Sequence, residues 1–263
     1  FIWFSDQLGA ERLDTTYHGI CYPVIYGYVD SLDAASSLDH MKHRMTGPEG
    51  EVYQSNHFGD HGYWGVPTWG MQAGSDMQPF ATAAYAAAGM ADDAIKPLSF
   101  VARRVCGEFQ RGAFPETANE KRFAYFSPSA GVFAQELIES VFGLHRDMTS
   151  KTLTVSPCFP SDWDHANLRL PSLSYEYKKD KDRINVKLTS LDGCKKILRM
   201  KTAILKDAEV YCGGVRVERG IRYECGHCEL TATLPDGDTA DLSVVLHPLD
   251  FSVGCDRAAA CGD

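Results

Sequence analysis

The stretch "FSPSAGVFAQELIESVFGLHRDMTSKTLTVSPCFPSDWDHANLRLPSLSYEYKK", residues 126–179, carries the change of period that decides the fold. Its first part starts at Ser127, Pro128 and Ser129, residue types suited to a helix N-terminus. It continues as an apolar-rich run through Phe142 and stops at Gly143. After about residue 150 the apolar residues recur at every second position instead, which is the pattern of half-buried strands. A Pro-rich turn, "PCFPSDW", separates the first strand pattern from the next and places Trp163 where it can cap a sheet against the preceding helices. One chain therefore holds a helical part and a β part, joined near residue 148.

Working upstream, the apolar spacing stays helical. Asp30 and Ser31 are capping types ahead of "LDAASSLDHMKHRM", and the breaker-rich "TGPEG" ends that run. A second run follows Ser75 and Asp76, with Met77, Phe80, Ala81, Ala84 and Ala88 on one face and Gly89 as its stop. A third carries Leu98, Val101, Ala102, Val105 and Phe109. Working downstream, "KTLTVSP", "LSYEYKKDKDRINVKLTS", "VRVERGIRYE" and "LTATLPDGDTADLSVVLHP" alternate with period two between turn signals, which predicts a small antiparallel β-sandwich. The expected organisation is 1–148 helical, 149–250 β-sandwich and 251–263 a fraying Ala-, Gly- and Cys-rich tail.

Composition excludes several function classes. The chain has 263 residues, 44% hydrophobic, and a formal net charge of −9. That acidity opposes a nucleic-acid or anionic-membrane partner, either of which needs a concentrated cationic footprint. No apolar stretch approaches the roughly 18 residues of a membrane-spanning helix. The start, "FIWFSDQLG", has neither an initiator Met nor a signal-peptide pattern, so a fragment of a longer protein is expected. Localisation stays open, with a periplasmic or secreted setting favoured over the cytoplasm. Nine cysteines leave at least one unpaired if the protein is exported. Cys225 and Cys228 have redox spacing, but the flanking strand patterns make "YECGHCEL" a hairpin turn rather than a thiol site. A zinc site there has only Cys212 and His227 to draw on.

The 126–179 stretch also resembles the junction between the last toroid helices and the C-terminal β-domain of six-hairpin glycosidases: the α-L-rhamnosidases, the cellobiose-phosphorylase-like enzymes and related bacterial families. The matching residues are Ser129, Ala130, Gly131, Gly143 and Leu144, then Pro157, Phe159, Pro160, Ser161, Asp162 and Trp163, in order and across the helix-to-strand switch. "YHGICYPVIYGYVDSLDAASSLDHMKHRM" is similar, less distinctly, to a segment where one toroid helix ends and the next begins. The resemblance implies a multidomain α and β chain: part of an (α/α)6 toroid followed by a C-terminal antiparallel β-sandwich. A complete toroid of that family has twelve helices, against five or six patterns here, so a missing N-terminal half of the toroid is the expected partner.

The resemblance further implies a glycoside hydrolase, inverting, acting on an oligosaccharide or glycoside with paired carboxyl groups. One carboxyl protonates the leaving oxygen, and the other activates water or attacks the sugar. Glu116, in "RGAFPETANEKRF" just before the Ser129 helix, is the first catalytic candidate, with Glu120 its competitor. Asp6 and Glu11 in the N-terminal segment are candidates for the second carboxyl, with Asp14 behind them, and the acid could equally lie upstream of residue 1. The connection 47–76 far exceeds the roughly 2–8 residues usual between bundle helices. It combines His57, Asp60, His61, Tyr63, Trp64, Trp69, Gln72 and Asp76, aromatic faces and hydrogen-bonding groups of the kind a sugar ring needs. Of these, His57, Asp60, Trp64, Trp69, Gln72 and Asp76, together with His18, form the expected substrate-binding set. The His57, Asp60 and His61 group lacks a zinc motif, so no metal and no cofactor is expected. Two alternatives remain: a phosphorylase of the same fold, with Arg103, Arg104 and Arg111 as phosphate ligands, and a non-catalytic glycan-binding or assembly component.

Overall fold

In a computed structural model the protein is described over residues 16–55, 73–107, 113–116 and 126–249. Five α-helices occupy the first part of these residues. Helix α1 (Tyr17–Ile25) opens on Thr16, whose hydroxyl accepts from Gly19 N–H at 3.5 Å, and buries Tyr17, Ile20, Cys21 and Val24 at helical spacing. Helix α2 (Ser31–Arg44) opens on Asp30, whose carboxylate accepts from the N–H groups of Leu32 at 3.0 Å and Asp33 at 2.9 Å. Ala34, Leu38 and Met41 face inward, and Lys42, His43 and Arg44 complement the dipole at its C-terminus.

Helix α3 (Met77–Ala87) differs from the one-faced helix that its sequence suggests. Gln78, Pro79, Thr82, Ala83 and Tyr85 are buried along with Met77, Ala81 and Ala84. The reason is that α1, α4 and α5 all pack against it. Helix α4 (Ala91–Cys106) keeps the expected face, with Leu98, Val101 and Val105 buried, and the Thr82 hydroxyl donates to Ala94 C=O at 2.7 Å to pin α3 to α4. Helix α5 (Ser127–Glu136) takes Ser127 and Pro128 as its first helical residues. Phe126 is its cap, without a side-chain bond, so the Ser hydroxyls do not cap it as expected. The run then widens into a π-helical turn over Leu137–Val141, closed by Phe142 N–H donating to Leu137 C=O at 3.0 Å.

Eleven strands follow among the described residues. One sheet orders β1 (Leu144–Asp147), β2 (Thr152–Val155), β6 (Lys195–Thr202), β10 (His227–Thr233) and β9 (Arg219–Glu224). The other orders β3 (His165–Leu170), β4 (Leu173–Asp180), β5 (Arg183–Ser190), β11 (Thr239–Pro248), β7 (Leu205–Cys212) and β8 (Val215–Val217). All pairs are antiparallel except β2 with β6, which run parallel, so the expected all-antiparallel arrangement holds with that one exception. Between the sheets lie Leu153, Leu188, Leu198, Leu205, Leu230 and Leu242. Each such burial contributes about 1.5–3 kcal/mol relative to exposure. The turn at Cys225 and Gly226 joins β9 to β10 as a hairpin, as the strand-like flanks predict.

Helices and sandwich share one core. Val141 and Phe142, swung inward by the π turn, and Leu98 of α4 join the sandwich cluster. Phe142 lies edge-on to Phe159 at 5.1 Å and to Tyr175 at 5.7 Å. Trp163 stacks on Phe159 at 6.0 Å but stays 37% exposed, so Phe159 rather than Trp163 is the buried anchor of the Pro-rich turn. Ser161 N–H donates to the Asp92 carboxylate at 2.6 Å and ties that turn to α4. The outer face of the first sheet is covered as well. His227 and Glu229 are buried on β10, and Lys201 Nζ donates to Ala87 C=O at the end of α3.

Candidate active site

Three helix starts bring the candidate chemistry together. Asp76 is the residue before α3, His18 is in the first turn of α1, and the segment 113–116 lies before α5. Backbone bonds hold the last of these in place: Ser75 N–H donates to Glu116 C=O at 2.8 Å, and the Ser129 hydroxyl to Pro115 C=O at 3.4 Å. Gln78, wholly buried, fixes the start of α3. Its amide oxygen accepts from Val52 N–H at 2.7 Å, and its amide nitrogen donates to Val52 C=O at 2.8 Å and Gly74 C=O at 3.2 Å. The Ser75 hydroxyl beside it is buried and has no partner among the described residues.

Asp76 is the most perturbed acid of this group. Burial pushes its carboxyl above the usual carboxylate range, and the neighbouring Glu116 charge pushes it further, against the pull of its own and the Met77 amide N–H groups. Glu116 itself is exposed. A largely buried carboxyl thus lies near a second that is exposed to solvent. Burial also lowers the His18 imidazole, which favours its neutral form, and its ring lies 3.8 Å from that of Tyr17. Burial first, then Tyr26, Cys21 and Asp76, raise the Tyr22 phenol, while Tyr17 opposes by hydrogen bonding.

Of the residues singled out in the sequence, the structure brings Asp76 and Glu116 near one another, and it sets His18 against the Tyr17 and Tyr22 rings. Asp6, Glu11, Asp14, His57, Asp60, His61, Tyr63, Trp64, Trp69, Gln72, Arg111 and Glu120 lie outside the described residues. Asp76 was expected to bind sugar hydroxyls; the structure shows its carboxyl buried and raised above the usual carboxylate range. Tyr22 was not singled out at all. Its only sequence signal is the four-residue spacing from His18 to Tyr22 to Tyr26, which sets the three on one side of α1. Arg103 and Arg104 do not stand in this group. Arg103 donates to Glu49 C=O at 2.7 Å, and Arg104 pairs with the Glu49 carboxylate at 2.8 Å while lying over the Phe100 ring. Among the described residues no group of three or more His, Cys, Asp or Glu could hold a metal ion, and no helix is long and apolar enough to cross a membrane.

No protein-family model and no curated protein sequence matches the chain. Solved structures do. An α-L-rhamnosidase from Dictyoglumus thermophilum superimposes with a TM-score of 0.53 at 9% identity, over 88% of this chain and 25% of that one. The α-L-rhamnosidase of Streptomyces avermitilis, complexed with L-rhamnose, gives 0.48 at 9% identity over 92% of this chain and 22% of its own. A human-microbiome protein described as a kojibiose phosphorylase gives 0.36 at 11% identity, over 83% and 24%. The chain therefore has the fold of part of an α-L-rhamnosidase, and it spans about a quarter of that enzyme's length.

Proposed function

We propose that this chain belongs to a glycoside hydrolase, its helices forming part of an (α/α)6 toroid over residues 1–148 and its sandwich spanning 149–250. Glu116 acts as the base that activates water, and Asp76 as the acid that protonates the leaving oxygen. His18 and Tyr22 hold hydroxyls of the sugar between them. The observation that carries this reading is the raised Asp76 carboxyl beside exposed Glu116 at the converging starts of α1, α3 and α5. The fold shared with an α-L-rhamnosidase supports the reaction class, although a fold alone does not select a chemistry. The phosphorylase reading has less support, because Glu49 already engages Arg103 and Arg104. Further helices that complete the ring are the partner this reading requires.

The test is turnover by the full-length protein and its Glu116→Gln and Asp76→Asn variants on a panel of aryl glycosides that includes α-L-rhamnosides. Each variant should lose about 100- to 10,000-fold, mainly in kcat. Unchanged turnover of Glu116→Gln on a substrate the parent cleaves removes Glu116 from the mechanism. A parent that binds sugars but cleaves none of the panel favours the non-catalytic reading.

A further inference from the structure

A second cleft opens at the other end of α1, where the ends of α1 and α3 and the π turn meet the outer face of the first sheet. Its volume is about 590 Å³, within the usual range for a small-molecule site. Tyr26 and Phe80 line it on the helical side; Gln135, Glu139, Arg199 and Glu229 are among its polar lining groups. The aromatic side runs back to the first site. Tyr22 lies edge-on to Phe80 at 5.4 Å and 6.2 Å from Tyr26, and the His18 ring is 5.4 Å from that of Tyr22. From His18 to Tyr26 is about 12 Å along the helix axis.

The charged groups of the cleft are engaged within the protein, Glu136 by the Ser140 hydroxyl and Lys201 by the Ala87 carbonyl. Glu229, buried, pairs with Arg199 at 3.3 Å and Arg222 at 3.4 Å; Arg222 also reaches Glu224 at 2.5 Å, and His145 lies 3.5 Å from Glu139. An anionic ligand would have to displace Glu229 from its two arginines, and a cation would have to displace the arginines from Glu229. A neutral polyhydroxyl ligand disturbs neither. It would place its C–H faces on Tyr26 and Phe80 and its hydroxyls on donors and acceptors that paired ions hold in position. We propose that this cleft is a further sugar subsite, holding units of an extended neutral oligosaccharide whose scissile end lies at Asp76 and Glu116. The inference rests on the glycoside hydrolase reading for that scissile end, and on the cleft geometry for the rest.

The experiment is calorimetric binding of gluco-, xylo- and rhamno-oligosaccharides, from disaccharide to hexasaccharide, to the full-length protein carrying Glu116→Gln. The same ladder is titrated after adding Tyr26→Ala, Tyr26→Phe or Arg199→Gln. Tyr26 is 64% exposed, so its truncation leaves the core intact. The expected result is affinity that rises with chain length in at least one series. Tyr26→Ala should cost about ten-fold for the longest member and progressively less for shorter ones; Arg199→Gln should weaken the long members too, and Tyr26→Phe should keep most of the gain. Length-dependent affinity indifferent to both Tyr26→Ala and Arg199→Gln overturns the proposal, as does affinity that stops rising at the disaccharide, or no binding in any series. If the parent cleaves none of the glycoside panel while the Tyr26-sensitive length dependence persists, the hydrolytic assignment fails and the subsite stands.

Discussion

At the scale of the residue, Asp76 is where function opposes stability. Its folded-state carboxyl is pushed up by burial first and by Glu116 second. The fold therefore favours the protonated form: stability is fully present below the unfolded-state value and is lost as pH rises through the folded one. Asp76→Asn removes the ionisation, so its urea midpoint should exceed the parent's at neutral pH, and the gain should fade on acidification through that range. A gain independent of pH, or a loss at neutral pH, would show that the Asp76 charge is well accommodated. Glu116→Gln removes one of the two raising causes, so the Asp76 carboxyl, followed by its 13C shift, should titrate at lower pH in that variant. His18 and Glu116 were legible as candidates from residue type and position alone. The raised carboxyl of Asp76 was not, because burial sets it first and the approach of Glu116 across forty residues of chain adds to it, neither of which a local pattern encodes.

At the scale of the element, the strands and most helices follow their sequence patterns. β5 buries Ile184, Val186 and Leu188 in strict alternation, and α4 buries its stripe at Leu98, Val101 and Val105. The misses occur where tertiary neighbours decide. Helix α3 is buried on most sides because three helices surround it, and the π turn at Leu137–Val141 delivers Val141 and Phe142 to a core that lies across a domain junction. Gly143 ends that turn at φ +69°, and a Cβ there would overlap the Ser156 carbonyl carbon and oxygen; Gly143 C=O itself accepts from Ser156 N–H at 2.7 Å. Both the left-handed backbone and the backbone contact oppose a side chain. Gly143→Ala should lower unfolding free energy by about 1–3 kcal/mol or more, measured by urea denaturation. Gly193, at φ +67° with open space around it, isolates the backbone part, and Gly193→Ala should cost only about 1 kcal/mol. Equal losses at the two positions would mean that the chain at Ser156 moves aside freely.

At the scale of the whole molecule, α1 and α3 turn their ends toward the sandwich and α2 and α4 their starts, through Ser31 to Cys225 and Asp92 to Ser161. One end of α1 carries His18, and the other carries Tyr26 in the cleft against the first sheet. The two-part layout was legible from the change of period near residue 148, and the likeness to the six-hairpin glycosidases from the Ser129 to Trp163 residues. The facing of β10 toward the helices was not, since buried His227 and Glu229 read in sequence as surface residues. The proposed reaction depends on one place, the carboxyls of Asp76 and Glu116 at the starts of α3 and α5. A crystal structure of the full-length protein with a bound iminosugar, a cationic mimic of the glycosyl transition state, tests it most directly. The iminosugar ring should lie between Asp76 and Glu116, its nitrogen or hydroxyls within hydrogen-bond distance of both carboxyls and of His18. An iminosugar bound with full occupancy elsewhere, with Asp76 and Glu116 both free of it, would remove the two carboxyls from the reaction.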